Sequence, residues 1–249
     1  MWESNGKMYH IQCEKGEVGR YVLLSGDPFR TDLIAKYLDN PELIAHKREH
    51  KTWNGTLLGE KVTVTSTGMG CPSTAIAMEE LIACGADTFI RVGTAGCMSP
   101  KKRTKTALGG IITASVRDEG TTKQYVPAEY PAVSDRHVVD ALARAAKTLG
   151  YEFNEGISYT KDSLYTLIFP DTVPLAESFK ERLKVWERAN VLLTEMESAA
   201  VLVLASIRGC RASGILAYSD VENVSDAVDK EIQTACEAIK LLIQEDRNG

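Results

Sequence analysis

The chain has 249 residues, 44% of them hydrophobic and 25% charged, and carries a formal net charge of -5. That length suits one large α/β domain or two small ones, and the composition is ordinary for a globular protein. The negative balance excludes a global basic field for nucleic acid or an anionic membrane, so a small anionic ligand needs a local positive pocket. The six cysteines at 13, 71, 84, 97, 210 and 236 include no CxxC pair, and none has a His at zinc-ligand spacing. They are too sparse for a disulfide scaffold and point to reduced thiols in a cytoplasmic protein. The N-terminal stretch MWESNGKMYHIQCEKGE lacks an apolar leader core, and no apolar run approaches the ~20 residues that span a bilayer.

Strand-like and helix-like segments alternate along the chain. The apolar run YVLLS at Tyr21–Ser25 is followed by a Gly-Asp-Pro turn and a helix over 29–38, with Pro28 near its first turn. KVTVTST at 61–67 is rich in β-branched residues; Gly68 and Gly70 break it, and a helix runs over 72–84 with Gly85 as its stop. Strands are predicted at 88–94 and 110–116. Ser134 or Asp135 caps a helix that ends at Gly150, and another helix covers 175–188. A strand at 191–195 leads into a helix over 198–208, and 213–219 is the last strand. Ser225 is expected to cap a final helix with apolar residues at Val228, Ile232, Ala235, Ile239 and Leu242, one buried face. The alternation predicts an α/β fold: one domain over 1–249, with helices on both faces of a central sheet. The short basic run KKRTK at 101–105 reads as a solvated loop.

In an open α/β sheet, ligands bind beyond the carboxyl ends of the strands, so the strand exits carry the candidate chemistry. At the first exit, Gly26 lets backbone amides approach an anion, a helix N-terminus follows, and Arg30 offers a guanidinium fork. A tight turn with a surface arginine explains the same residues. Arg91 interrupts an apolar strand and must be paired there, by a bound anion or by a buried carboxylate; Gly93 and Thr94 follow it. Gly68-x-Gly70-x-x-Ser73 is a poor dinucleotide motif, because the next strand ends in Arg91 and not in an acid that would hold a ribose diol. Glu195 and Glu197 bracket Met196 at another exit. They suit the hydroxyls of a ribose, or simply the positive end of the helix that follows. Asp220 follows the last strand, either as a turn cap or as a general acid.

Together these segments resemble the nucleoside phosphorylase family of uridine phosphorylase and the hexameric type of purine nucleoside phosphorylase. GDPFR, STGMGCPS, FIRVGTAG and EMESAAV stand in family-like order across nearly the whole chain. The resemblance implies a three-layer α/β/α fold with a mixed central sheet, phosphorolysis of a nucleoside with inorganic phosphate as co-substrate, and no cofactor or metal. It assigns Gly26, Arg30, Arg91 and Thr94 to phosphate, with Arg48 lent to a neighbouring subunit's phosphate. His10 falls to the neighbour's ribose 5′-hydroxyl, and Met196 and Glu197 to the ribose. Shared sites imply a homo-oligomer with a dimer as the catalytic unit, usually built into a hexamer.

The base pocket departs from the family. Uridine phosphorylases carry a Gln-x-Arg pair where this chain has Thr166-Leu167-Ile168-Phe169-Pro170, and Leu164, beside Tyr165, replaces a stacking Phe. Asp220 falls where the bacterial purine enzymes keep a purine-protonating Asp. The Arg that assists it there is missing between Arg211 and Arg247, which leaves Lys230 as the nearest cation. The stretch 114–133 resembles the uridine branch. On Asp220 the expectation is a purine (deoxy)ribonucleoside phosphorylase; the alternative is a uridine phosphorylase with an atypical base pocket. A nucleosidase and a non-catalytic nucleoside-binding protein are the rivals from other classes.

Overall fold

The computed structural model describes residues 3–101 and 103–248, so Lys102 of the basic run lies outside them. A small ribbon of β1 (Glu3–Ser4) and β2 (Lys7–Met8) opens the chain. Then come β3 (Tyr21–Ser25), α1 (Pro28–Ala35), β4 (Asp39–Lys47), β5 (His50–Leu57), β6 (Glu60–Ser66), α2 (Cys71–Ala83) and β7 (Thr88–Cys97). The second half holds β8 (Gly109–Asp118), β9 (Ala132–Val133), α3 (Arg136–Leu149), β10 (Phe153–Lys161), α4 (Tyr165–Ile168), α5 (Ala176–Arg188), β11 (Leu193–Glu195), α6 (Ser198–Ile207), β12 (Arg211–Tyr218) and α7 (Val224–Asn248).

The large sheet runs β11-β10-β8-β12-β7-β3-β6-β5-β4, and β11 also pairs with β7, so one half of the sheet closes on itself. The sheet is mixed. β3 is parallel to β6 and β7, β12 is parallel to β7 but antiparallel to β8, and β4-β5-β6 is an antiparallel meander. Closure needs close backbone approach: a Cβ at Gly109 would stand 2.0 Å from the Leu216 carbonyl oxygen across the β8–β12 pair, so only glycine fits. One apolar core packs α2 and α6 against the sheet, with Met78, Leu81, Val201 and Leu204 beside Phe89 and Leu216. A second core packs α1, α3 and α7 on the other face, with Ile34, Leu142, Ile239 and Leu242 against Ile90 and Ile215. The expected three-layer α/β/α arrangement with a mixed sheet is present.

Local signals placed most elements correctly to within a few residues. Asp135 caps α3 by accepting from the amides of His137 and Val138, and Gly150 ends it in the left-handed conformation. The last helix differs: Asn223, not Ser225, accepts from the Asp226 amide, so α7 begins at Val224. Patterning left 39–57 and 153–161 unassigned, yet both form strands. The six cysteines are free. Among the described residues, no helix is long and apolar enough to cross a membrane, and no cluster of His, Cys, Asp or Glu could hold a metal ion.

Candidate active site

A cleft of about 600 Å³ opens at the carboxyl ends of the parallel strands, a size suited to a small organic ligand. Gly26, Arg30, Arg91, Thr94, Leu164, Met196 and Glu197 all line it. Four widely separated strand exits therefore converge on one cavity. The structure also brings Glu49, Lys161, Thr194 and Ser219 into the wall.

Arg91 organises the floor. It is 4% exposed, and its Nε donates to Glu195 at 3.2 Å while Nη2 donates to Glu197 at 2.5 Å. Of the two partners that the sequence left open, the buried carboxylates are thus in place. Burial works against the guanidinium charge, but Glu197 and Glu195 more than offset it, and its pKa lies above the ordinary arginine value. Gly93 makes room for this arrangement, since a Cβ there would lie 3.2 Å from three atoms of the Arg91 guanidinium. The two carboxylates have distinct surroundings. Glu195 accepts from the amides of Glu197 and Ser198, both at 2.7 Å, and from the Thr160 hydroxyl. These bonds fix it at the start of α6. Glu197 accepts from the Gly70 amide at 2.5 Å, which ties the β11–α6 exit to the β6–α2 exit. Both carboxylates line the cleft with Met196, Glu195 carrying the larger set of bonds from its own chain.

A buried carboxyl lies beneath the arginines. Glu231 of α7 is 0% exposed; it accepts from the Ala217 amide at 3.2 Å, and its Oε1 has no hydrogen-bond partner. Burial pushes its pKa up to about 8 against the opposing pull of Arg30, the Ala217 and Gly93 backbone groups, and Arg91. At neutral pH it is mostly a neutral acid, and adds little negative charge beside Arg30 and Arg91.

Several expected residues stand apart from the cleft wall. Arg48 is exposed at the β4–β5 turn with a positive φ of 53°. Its neighbour Glu49 lines the cleft and binds the Ser73 hydroxyl at 2.7 Å. His10 is held by Glu80, through Nδ1 at 2.7 Å and through its backbone amide. Neither Arg48 nor His10 lines the cleft of its own chain. Tyr165 is 67% exposed and stacks on Phe169, with ring centroids 6.2 Å apart.

Asp220 departs most from expectation. Its side chain is 57% exposed, and although Ser219 lines the cleft, Asp220 does not. Its partner is Arg103 at 2.8 Å, from the basic run that reads as a plain solvated loop. Lys230 is not its partner; one helical turn along α7, it pairs with Asp226 at 2.7 Å. Asp220 therefore lacks the partial burial that the sequence reading asked of it.

Residues 20–245 match the phosphorylase superfamily. Uridine phosphorylase of Treponema pallidum is 41% identical over 96% of this chain and 95% of its own length. Guanosine phosphorylase of Halorubrum lacusprofundi is 38% identical over 84% of this chain and 81% of its own length. The crystal structure of uridine phosphorylase from Vibrio fischeri superposes with a TM-score of 0.85 at 29% identity, covering 98% of this chain and all of that one. Likeness of this extent, over the strand exits that build the cleft, means that the chain belongs to the phosphorylase superfamily, in its nucleoside phosphorylase family.

Proposed function

We propose that this protein is a uridine phosphorylase that cleaves its nucleoside with inorganic phosphate to give free base and ribose 1-phosphate. The observation that carries this reading is the cleft in which Arg30, Arg91 and Thr94 face Met196 and Glu197. An anion site and a ribose site share one cavity there. Phosphate held by Arg30, Arg91 and the Thr94 hydroxyl attacks C1′ as the bond to the base breaks; the arginines supply proximity and orientation. Glu197 holds the 2′- and 3′-hydroxyls and stabilises the positive charge that develops on the ribose ring. No cofactor enters the reaction.

One chain does not complete the site. Its cleft wall carries Arg30, Arg91 and Lys161 against Asp27, Glu49, Glu195 and Glu197, no formal excess of positive charge for a phosphate dianion. Arg48, exposed at its turn, supplies the missing cation to a neighbouring chain, and His10 reaches that neighbour's ribose. A dimer is then the smallest active unit.

Uracil is preferred over a purine as the base because Asp220 is exposed, stands off the cleft wall and is ion-paired. The names of the relatives lean the same way. The purine reading keeps one specific support: Arg103 stands beside Asp220 as a cation, although no Arg lies between Arg211 and Arg247. Side-by-side initial rates on uridine, inosine and guanosine with phosphate separate the two. The expected result is the highest kcat/KM on uridine, unchanged in Asp220→Asn. Highest activity on a purine nucleoside, lost in that variant, would establish the purine reading instead.

A further inference from the structure

Two polar groups beside the cleft lack partners among the described residues. The first is the Oε1 of Glu231, a side chain with no exposed surface. The other oxygen of this carboxyl accepts from the Ala217 amide, and Ala217 stands opposite Thr94 in the β12–β7 ladder. Glu231 is therefore seated on the rung that carries Thr94. The second group is the guanidinium of Arg30. Arg30 lines the cleft and also the neighbouring groove between α1 and α7, where it meets Val228 and Ile232 on either side of Glu231 in the sequence. Its guanidinium makes no hydrogen bond or ion pair among the described residues. A buried carboxyl oxygen and a guanidinium left without partners are both costly.

The surrounding charges leave these two groups to each other. Arg30 is the foremost charge acting on Glu231, ahead of Arg91. Arg91 is already committed to Glu195 and Glu197. Apart from that charge, β7 and β12 offer Glu231 the backbone groups of Gly93 and Ala217. The charged residues that flank it on α7 are engaged elsewhere, Lys230 with Asp226 and Asp229 with the Tyr37 hydroxyl. On α3, Arg144 is taken by Glu245. Arg30 can thus serve Glu231 or an anion in the cleft.

We propose that Glu231 is a positioning residue for phosphate, acting through Arg30: as a neutral acid it leaves Arg30 to the anion, and as a carboxylate it draws Arg30 to itself. This rests on the phosphorylase reading but not on the choice of base. The two states differ by one proton. Phosphate that meets the neutral acid binds directly. Phosphate that meets the carboxylate takes Arg30 from it, and the carboxylate, left buried without its cation, takes up a proton from solvent. Phosphate binding and protonation of Glu231 therefore favour each other. Burial holds the Glu231 pKa at about 8, so phosphate affinity is full below that value and falls as pH rises through it.

The test measures inorganic phosphate binding to wild type and Glu231→Gln by titration calorimetry from pH 7 to pH 9. Buffers of differing ionisation enthalpy count the protons taken up. Wild type is expected to take up part of a proton per phosphate at pH 8.5, and Glu231→Gln less. The ratio of the wild-type Kd to that of the variant should rise roughly threefold to tenfold across the range, tenfold being the effect of one full pKa unit of coupling. The ionisation of phosphate itself, and that of Lys161, whose pKa burial lowers, are common to both proteins and cancel in the ratio. In turnover the phosphate KM should follow the same ratio, while kcat at saturating phosphate stays equal. A ratio that does not change with pH, with equal proton uptake in the two proteins, would overturn the proposal. Wild type that binds phosphate without proton uptake at pH 8.5 would also overturn it, even if the variant failed to fold. Wild type that binds no phosphate, or releases base without it, overturns the phosphorylase reading and the role of Glu231 with it.

Discussion

Glu231 shows how one side chain sets the conditions under which the site is stable. Its pKa stands at about 8 against an ordinary 4.5, because burial penalises its charge. Between those values the folded chain holds a proton that the unfolded chain has released. Stability therefore falls as pH rises through this window and levels off above it. The steepest contribution is about 1.4 kcal/mol per pH unit. In Glu231→Gln this slope disappears, so denaturant midpoints should show the variant gaining on wild type from pH 5 to pH 8. Parallel curves for the two proteins would mean that Glu231 is ionised throughout. Arg91 illustrates the opposite balance at the same end of the cleft, because two carboxylates keep a buried charge in place. A phosphate that engages it joins an existing network instead of filling an unpaired hole.

At the level of elements, two strand exits were readable because each joins a β-branched or apolar run to glycine and then to a helix start. GDPFR after β3 and the glycines after β6 are of this kind. The same local logic failed where pairing decides the structure. The segment 39–57 carries polar residues, yet β4 and β5 pair with each other, and β5 extends the sheet through β6. The strand β10 lies between β8 and β11, and its end, Thr160-Lys161-Asp162, reads locally as a turn. That is why Lys161 escaped notice: its burial comes from neighbours far away in sequence. Arg103 was missed for the same reason, since 117 positions separate it from Asp220. Glu231 did leave a signal. It stands three residues after Val228 and four before Ala235 on the apolar face of α7, a carboxyl where helical periodicity calls for a buried group.

For the whole molecule, Arg48 and His10 stand away from their own cleft, and the proposed reading gives them to a neighbouring chain's site. Co-expressed Arg48→Ala and Glu197→Ala chains test this. Each variant alone is expected to be nearly inactive. A mixed dimer regains one intact site, so random association returns roughly a quarter of wild-type activity. No recovery in a mixture shown to contain mixed dimers would mean that each chain works with its own Arg48. The central claim, transfer of a nucleoside's ribose to phosphate, is tested most directly by following uridine with and without phosphate and identifying the sugar product. The account predicts uracil release only with phosphate, matched one to one by ribose 1-phosphate. Uracil release at an undiminished rate in phosphate-free buffer, with free ribose as the product, would contradict it.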